Sequence, residues 1–136
     1  MKSMLLALFC ALSVNAQNVK SEGTIFVDGI KDKKWNNSNG KDFTKASFAV
    51  FSGACYVTLE VDQTAEVNFK SVSTISKGKL EVKLIDEQEY DYFYCKTSKD
   101  CIVVKDITLE KGKKYRLYFI GENAKGKFEV NWEINK

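Results

Sequence analysis

The sequence predicts an all-β fold, a single antiparallel β-sandwich of eight or nine short strands, on three observations. Apolar and polar residues alternate with a period of two through most of the chain. Proline is absent, which suits a chain made mostly of strands and short turns. Gly, Asn and Lys clusters punctuate the alternating runs, and beyond the N-terminus no stretch carries a helical period. One half-buried face per strand is what antiparallel sheets packed face to face produce.

The strands follow in order. "CYVTLEV" sets Cys55, Val57, Leu59 and Val61 on one face, and "EVNF" continues the pattern. "KLEVKL" does so with Leu80, Val82 and Leu84. In "EYDYFYC", residues 89–95, Tyr90, Tyr92 and Tyr94 share one face while Asp91, Phe93 and Cys95 share the other. "IVV" follows the polar "KTSKD". "KYRLYFI" sets Tyr115, Leu117 and Phe119 against Arg116, Tyr118 and Ile120, and "KFEVNWEI" sets Phe128, Val130, Trp132 and Ile134 against four polar residues. Turns are expected at "SKGK" near Gly78, "EKGKK" near Gly112 and "ENAKGK" near Gly126.

Residues 1–16 have the layout of a cleaved secretory signal: a basic start at Lys2, the apolar "MLLALFCALSV", and a cut between Ala16 and Gln17. Phe9 before Cys10 argues against a lipoprotein signal. Residues 17–136 then form one domain, secreted or periplasmic, with no later segment long and apolar enough to insert in a membrane. Export implies an oxidising setting and leaves Cys55, Cys95 and Cys101. The polar five-residue spacing of "CKTSKDC" points to a Cys95–Cys101 disulfide across the mouth of a hairpin, with Cys55 a free core thiol.

Charge narrows the function. Once Lys2 leaves, 20 basic residues face 18 acidic ones, interspersed rather than blocked, which does not indicate a nucleic-acid partner. Arg116 is the only arginine. The chain has no histidine, which removes Ser-His-Asp and Cys-His machinery, histidine-ligated zinc and the usual general base. No phosphate loop or nucleophile elbow appears, so the protein is expected to be no enzyme. "DEQEYD" gathers Asp86, Glu87, Glu89 and Asp91 at an expected turn. It reads as a solvated acidic turn, with calcium as the alternative, and no other cofactor is indicated.

The tyrosines of residues 89–95 can face the core or the solvent. Facing inward, their hydroxyls would each need a buried partner; facing outward, they leave Phe93 and Cys95 inside. The balance tips outward, and outward tyrosines offer a platform for sugar or protein, against ordinary cross-strand packing as the plainer reading. Trp35, in the polar loop "KKWNNSNG", is a further exposed-aromatic candidate or else a plug over one end of the sandwich. The same loop carries a glycosylation sequon at Asn36, relevant if the source is eukaryotic.

From about residue 64 onward, "STISKGKLEVKLID" and "DITLEKGKKYRLYFIGENAKGKFEVNWEI" resemble bacterial pre-peptidase C-terminal-like domains, through Gly78, Leu109, Gly112, Tyr115, Gly126 and Trp132. The resemblance implies a jelly-roll sandwich and an accessory, non-catalytic module. "IFVDGIKDKKW" is similar to the opening of family-9-type carbohydrate-binding modules, through Asp28, Gly29, Asp32 and Trp35. The expectation is an exported, non-catalytic module that binds carbohydrate or a glycan surface through Tyr90, Tyr92, Tyr94 and Trp35. The alternative is a secreted protein-interaction domain, an enzyme inhibitor or envelope component, that adds Arg116 and Tyr118 to the same tyrosines.

Overall fold

A computed structural model describes residues 18–27 and 31–135. The signal segment, Cys10, Asp28 and Gly29 lie outside the described residues. Among the described residues nine antiparallel strands form one sheet: β1 (Val19–Ser21), β2 (Ile25–Phe26), β3 (Lys31–Lys33), β4 (Asn36–Asn39), β5 (Phe43–Val61), β6 (Ala65–Asp86), β7 (Asp91–Thr97), β8 (Asp100–Leu109) and β9 (Tyr115–Ile134). The strand number agrees with expectation. The strand lengths do not, because β5, β6 and β9 run for 19, 22 and 20 residues.

Those three long strands fold the sheet back on itself. Phe119 and Phe128 both belong to β9, and a straight strand would hold them about 30 Å apart. Their rings instead stack with centroids 3.7 Å apart. Register irregularities mark the bends, between Phe48 and Gly53 on β5 and between Ile75 and Lys79 on β6. The result is two layers. The first holds β4, β8 and the stretches 43–48, 65–75 and 126–134 of the long strands; the second holds β1–β3, β7 and the stretches 51–61, 77–86 and 115–125.

Two of the expected turns are these bends. Gly78 (φ +70°) sits inside β6 and Gly126 (φ +151°) inside β9, and only Gly112 lies in a turn between strands. A Cβ on Gly78 would collide with the backbone carbonyl oxygens of Glu122 and Asn123, and one on Gly126 with that of Thr74. Glycine is needed there for its left-handed backbone and for close approach of neighbouring strands.

The inward faces meet in one hydrophobic cluster that includes Phe51, Cys55, Leu59, Phe69, Leu84, Leu117 and Phe119, all at most 1% exposed. Phe93 and Cys95 point inward as expected, and Phe93 reaches Phe69 across the two layers. The Cys95–Cys101 disulfide is formed and Cys55 is free and buried, its thiol pushed up to about 12 by burial. The bridge does not close a hairpin. β7 pairs with residues 80–85 of β6 and β8 with residues 65–74, so Cys95 lies opposite Val82 and Cys101 opposite Ser73. The disulfide therefore spans the corner between the layers, where β7 gives way to β8.

Candidate functional site

The outer face of the second layer carries a cleft of about 580 Å³. Its floor follows from register. Residues opposite one another share a face, so Tyr94, Lys83, Tyr118, Tyr56 and Ile25 form one row across β7, β6, β9, β5 and β2. The next row sets Ile85, Arg116 and Thr58 side by side. Each is the out-of-phase partner of a core residue: Tyr56 lies between buried Cys55 and Val57, and Tyr118 between buried Leu117 and Phe119.

Arg116 organises the floor. Its guanidinium lies 4.4 Å from the Tyr56 ring centroid and donates to the Tyr118 hydroxyl at 3.4 Å. The Tyr56 and Tyr118 rings stand 5.1 Å apart. The Tyr118 hydrogen bond raises the Arg116 pKa further above its ordinary value, so the group is always charged. Among the described residues no carboxylate pairs with it.

The turn after β6 supplies one wall. Asp86, almost wholly buried, holds it: its Oδ1 accepts from the backbone N–H of Gln88 and Tyr90, and its Oδ2 accepts from the Tyr92 hydroxyl at 2.8 Å. The Tyr92 bond leads these in holding the Asp86 carboxyl below its usual range. Burial first, then the same bond, pushes the Tyr92 phenol up to about 12. Glu89 closes the turn in the left-handed region, at φ 62°. Glu87 and Glu89 line the cleft, and Glu22 and Ile25 face them from the N-terminal segment.

The structure separates the three tyrosines of residues 89–95. A register shift between Leu84 and Ile85 interrupts the alternation opposite them. Tyr90 and Tyr94 are 64% and 50% exposed. Tyr92 is half-buried against the core, edge-on to buried Tyr115 with ring centroids 5.5 Å apart. Tyr94 lies beside Lys83 on the same face but outside the cleft lining, Tyr90 precedes β7, and Tyr92 buttresses the turn.

Trp35 does not line the cleft. It packs among Phe26, Phe48, Phe51 and Phe128 at the bends, and its Nε1 donates to Asn37. Asp32 is exposed on β3, and Asn36 is exposed on β4. Of the acidic group, Glu87, Glu89 and Asp91 are exposed while Asp86 is committed to its own turn. Among the described residues no three acidic or cysteine side chains converge as a metal-holding group. Tyr56 and Lys83 were not singled out from sequence. Their phase was readable, but their meeting with Tyr118 depends on pairings between distant strands.

No protein-family model and no curated protein matches the chain, so the pre-peptidase-type resemblance finds no family support. Solved structures do align. The K3 cleaved adhesin domain of Lys-gingipain from Porphyromonas gingivalis W83 gives a TM-score of 0.51 at 9% identity, over 82% of this chain and 89% of that one. The K1 cleaved adhesin domain of the same protein gives 0.49 at 12% identity, over 86% and 97%. A CBM35 from Cellvibrio japonicus Abf62 gives 0.47 at 10%, over 89% and 99%. The likeness is one of fold: the chain is an all-β sandwich similar to the K3 adhesin domain.

Proposed function

We propose that the protein is an exported, non-catalytic module that takes a short, neutral carbohydrate in the cleft of the second layer. The observation that carries this reading is the pre-set group of Tyr56, Tyr118 and Arg116 on the cleft floor. Sugars are recognised by aromatic surface beneath their CH groups together with hydrogen bonds to their hydroxyls. Arg116 has five N–H donors, and among the described residues one is met, by Tyr118, which leaves four to offer a ligand. Three cations, Lys83, Lys114 and Arg116, alternate with four carboxylates, Glu22, Asp86, Glu87 and Glu89, around the cleft, and Lys113 reaches Asp86 at 3.9 Å, so neither sign dominates and the chemistry suits an uncharged ligand. Within the cleft the row from Lys83 to Ile25 crosses four strands, about 14 Å, room for a short oligosaccharide. Catalysis has little to work with. The chain has no histidine, and the most enclosed carboxylate among the described residues, Asp86, is held ionised by its own turn.

A glycan array tests the reading, with wild type beside Arg116→Ala and Tyr118→Ala. Wild type should bind neutral oligosaccharides, and each variant should lose tenfold or more while melting close to wild type. A blank array for wild type contradicts it. The second reading, a protein-interaction domain, is favoured by Tyr90 and Tyr94, which stand exposed at the edge of the layer. A protein partner whose binding falls with Tyr94→Ala, beside a blank array, would establish that reading instead.

A further inference from the structure

The outer face of the first layer carries a different chemistry. Two hollows, of about 570 and 400 Å³, share Ser47, Thr74 and Lys127 and so form one continuous depression. Lys34, Lys45, Lys70, Lys125 and Lys127 line it, and among the described residues Glu129 is the one carboxylate that does. None of these lysines makes an ion pair among the described residues. In the sequence they are dispersed among acidic residues; in the fold, antiparallel register gathers them. Ser47 lies opposite Lys127, which lies opposite Thr74; Lys45 lies opposite Glu129; and Lys70 lies opposite Asn131. Asp100, opposite Thr74 on β8, borders the face but does not line the depression.

We propose that this face is a second binding site, for a linear acidic polysaccharide bearing carboxylate or sulfate groups. Several unpaired ammonium groups on one face repel one another, and a polyanion laid across them relieves that repulsion while gaining attraction to each. The depression crosses β4, β5, β9 and β6, a span of about 14 Å at ordinary strand spacing, which fits a chain rather than a single ion. Asn36, Asn37, Ser38 and Asn131 stand among the lysines and offer the amides and hydroxyls that meet sugar hydroxyls. Lysine acts as a point charge and suits scattered carboxylate or sulfate groups, which do not demand the planar fork of arginine. The aromatic residues at its walls, Phe48 and Phe128, are buried, so unpaired nucleobases find no stacking platform. That favours polysaccharide over single-stranded nucleic acid.

Titration calorimetry on the full chain tests the site. Heparin serves as the sulfated probe, polygalacturonate as the carboxylated one, dextran as the uncharged control and oligothymidylate as the nucleic-acid competitor. At least one acidic polysaccharide should bind, with log Kd rising linearly against log salt, and dextran should not bind at this face. Replacing Lys45, Lys70 and Lys127 together with glutamine should weaken that binding tenfold or more. All three side chains are exposed, so the melting temperature should hold. Arg116→Ala, which disables the cleft, should leave it unchanged, so the two sites fail independently. The proposal is overturned if neither acidic polysaccharide binds, if the triple variant binds as well as wild type, or if oligothymidylate of equal charge binds as tightly as the polysaccharide.

Discussion

The two outer faces of this sandwich are built from the same three long strands and organised by different forces. On the second layer, contacts fix the side chains: Arg116 lies on Tyr56, Tyr118 receives its hydrogen bond, and Asp86 with Tyr92 holds the wall. On the first layer, charge dominates. Lys45, Lys70 and Lys127 stand exposed, and none of them makes an ion pair among the described residues. A face held by contacts is pre-organised, so binding costs it little ordering, and its specificity comes from shape. A face held by charge attracts from a distance, tolerates variety in its ligand and weakens with salt. The alternating pattern of each strand leaves its outward positions free to carry either chemistry, because the inward positions alone build the core.

The largest expected effect comes from removing the buttress of the cleft wall. Tyr92→Ala takes away a half-buried ring packed on Tyr115 and leaves Asp86 short of its shortest bond. Denaturant unfolding should show a loss of about 2–3 kcal/mol. Carbohydrate binding in the cleft should weaken, while the lysine face is untouched. A variant as stable as wild type would mean that the wall stands without Tyr92 and that the contrast between the faces is overstated.

A smaller effect is expected from pH, and on both sides of neutrality. The Tyr92 phenol is raised in the folded protein, to about 12. Its contribution is therefore full below the ordinary phenol range near 10 and is lost as pH rises through 12. The Asp86 carboxyl is lowered in the folded protein. Its contribution is full above the ordinary carboxylate range near 4 and is lost as pH falls below it. Melting temperature plotted against pH should fall at both ends, and Tyr92→Phe should flatten the alkaline fall. Identical profiles for the two proteins would remove this pair from the account.

How much of this was legible in the sequence depends on the range of the interaction involved. Period-two alternation is local, and it placed Phe93, Cys95, Leu117 and Trp132 inside and Arg116 and Tyr118 outside. The disulfide was legible from spacing, but its role was not: a corner between layers and a hairpin mouth place two nearby cysteines equally well. Gly78 and Gly126 were misread as turns because a bend within a strand and a turn between strands need the same backbone freedom. The cleft and the lysine face were largely hidden. Tyr56 meets Tyr118 only because β5 pairs with β9, and Lys45, Lys70 and Lys127 converge only through register between strands far apart in sequence.

The central claim, two faces with two ligand chemistries, is tested most directly by backbone-amide NMR of the uniformly labelled protein. It would be titrated separately with a neutral oligosaccharide selected on the array and with an acidic oligosaccharide. The neutral ligand should shift the amides of Tyr56, Lys83, Arg116 and Tyr118 and leave the first layer still. The acidic ligand should shift Lys45, Ser47, Thr74 and Lys127 and leave the cleft still. Both ligands shifting the same face, or neither shifting any outward residue, would contradict the account.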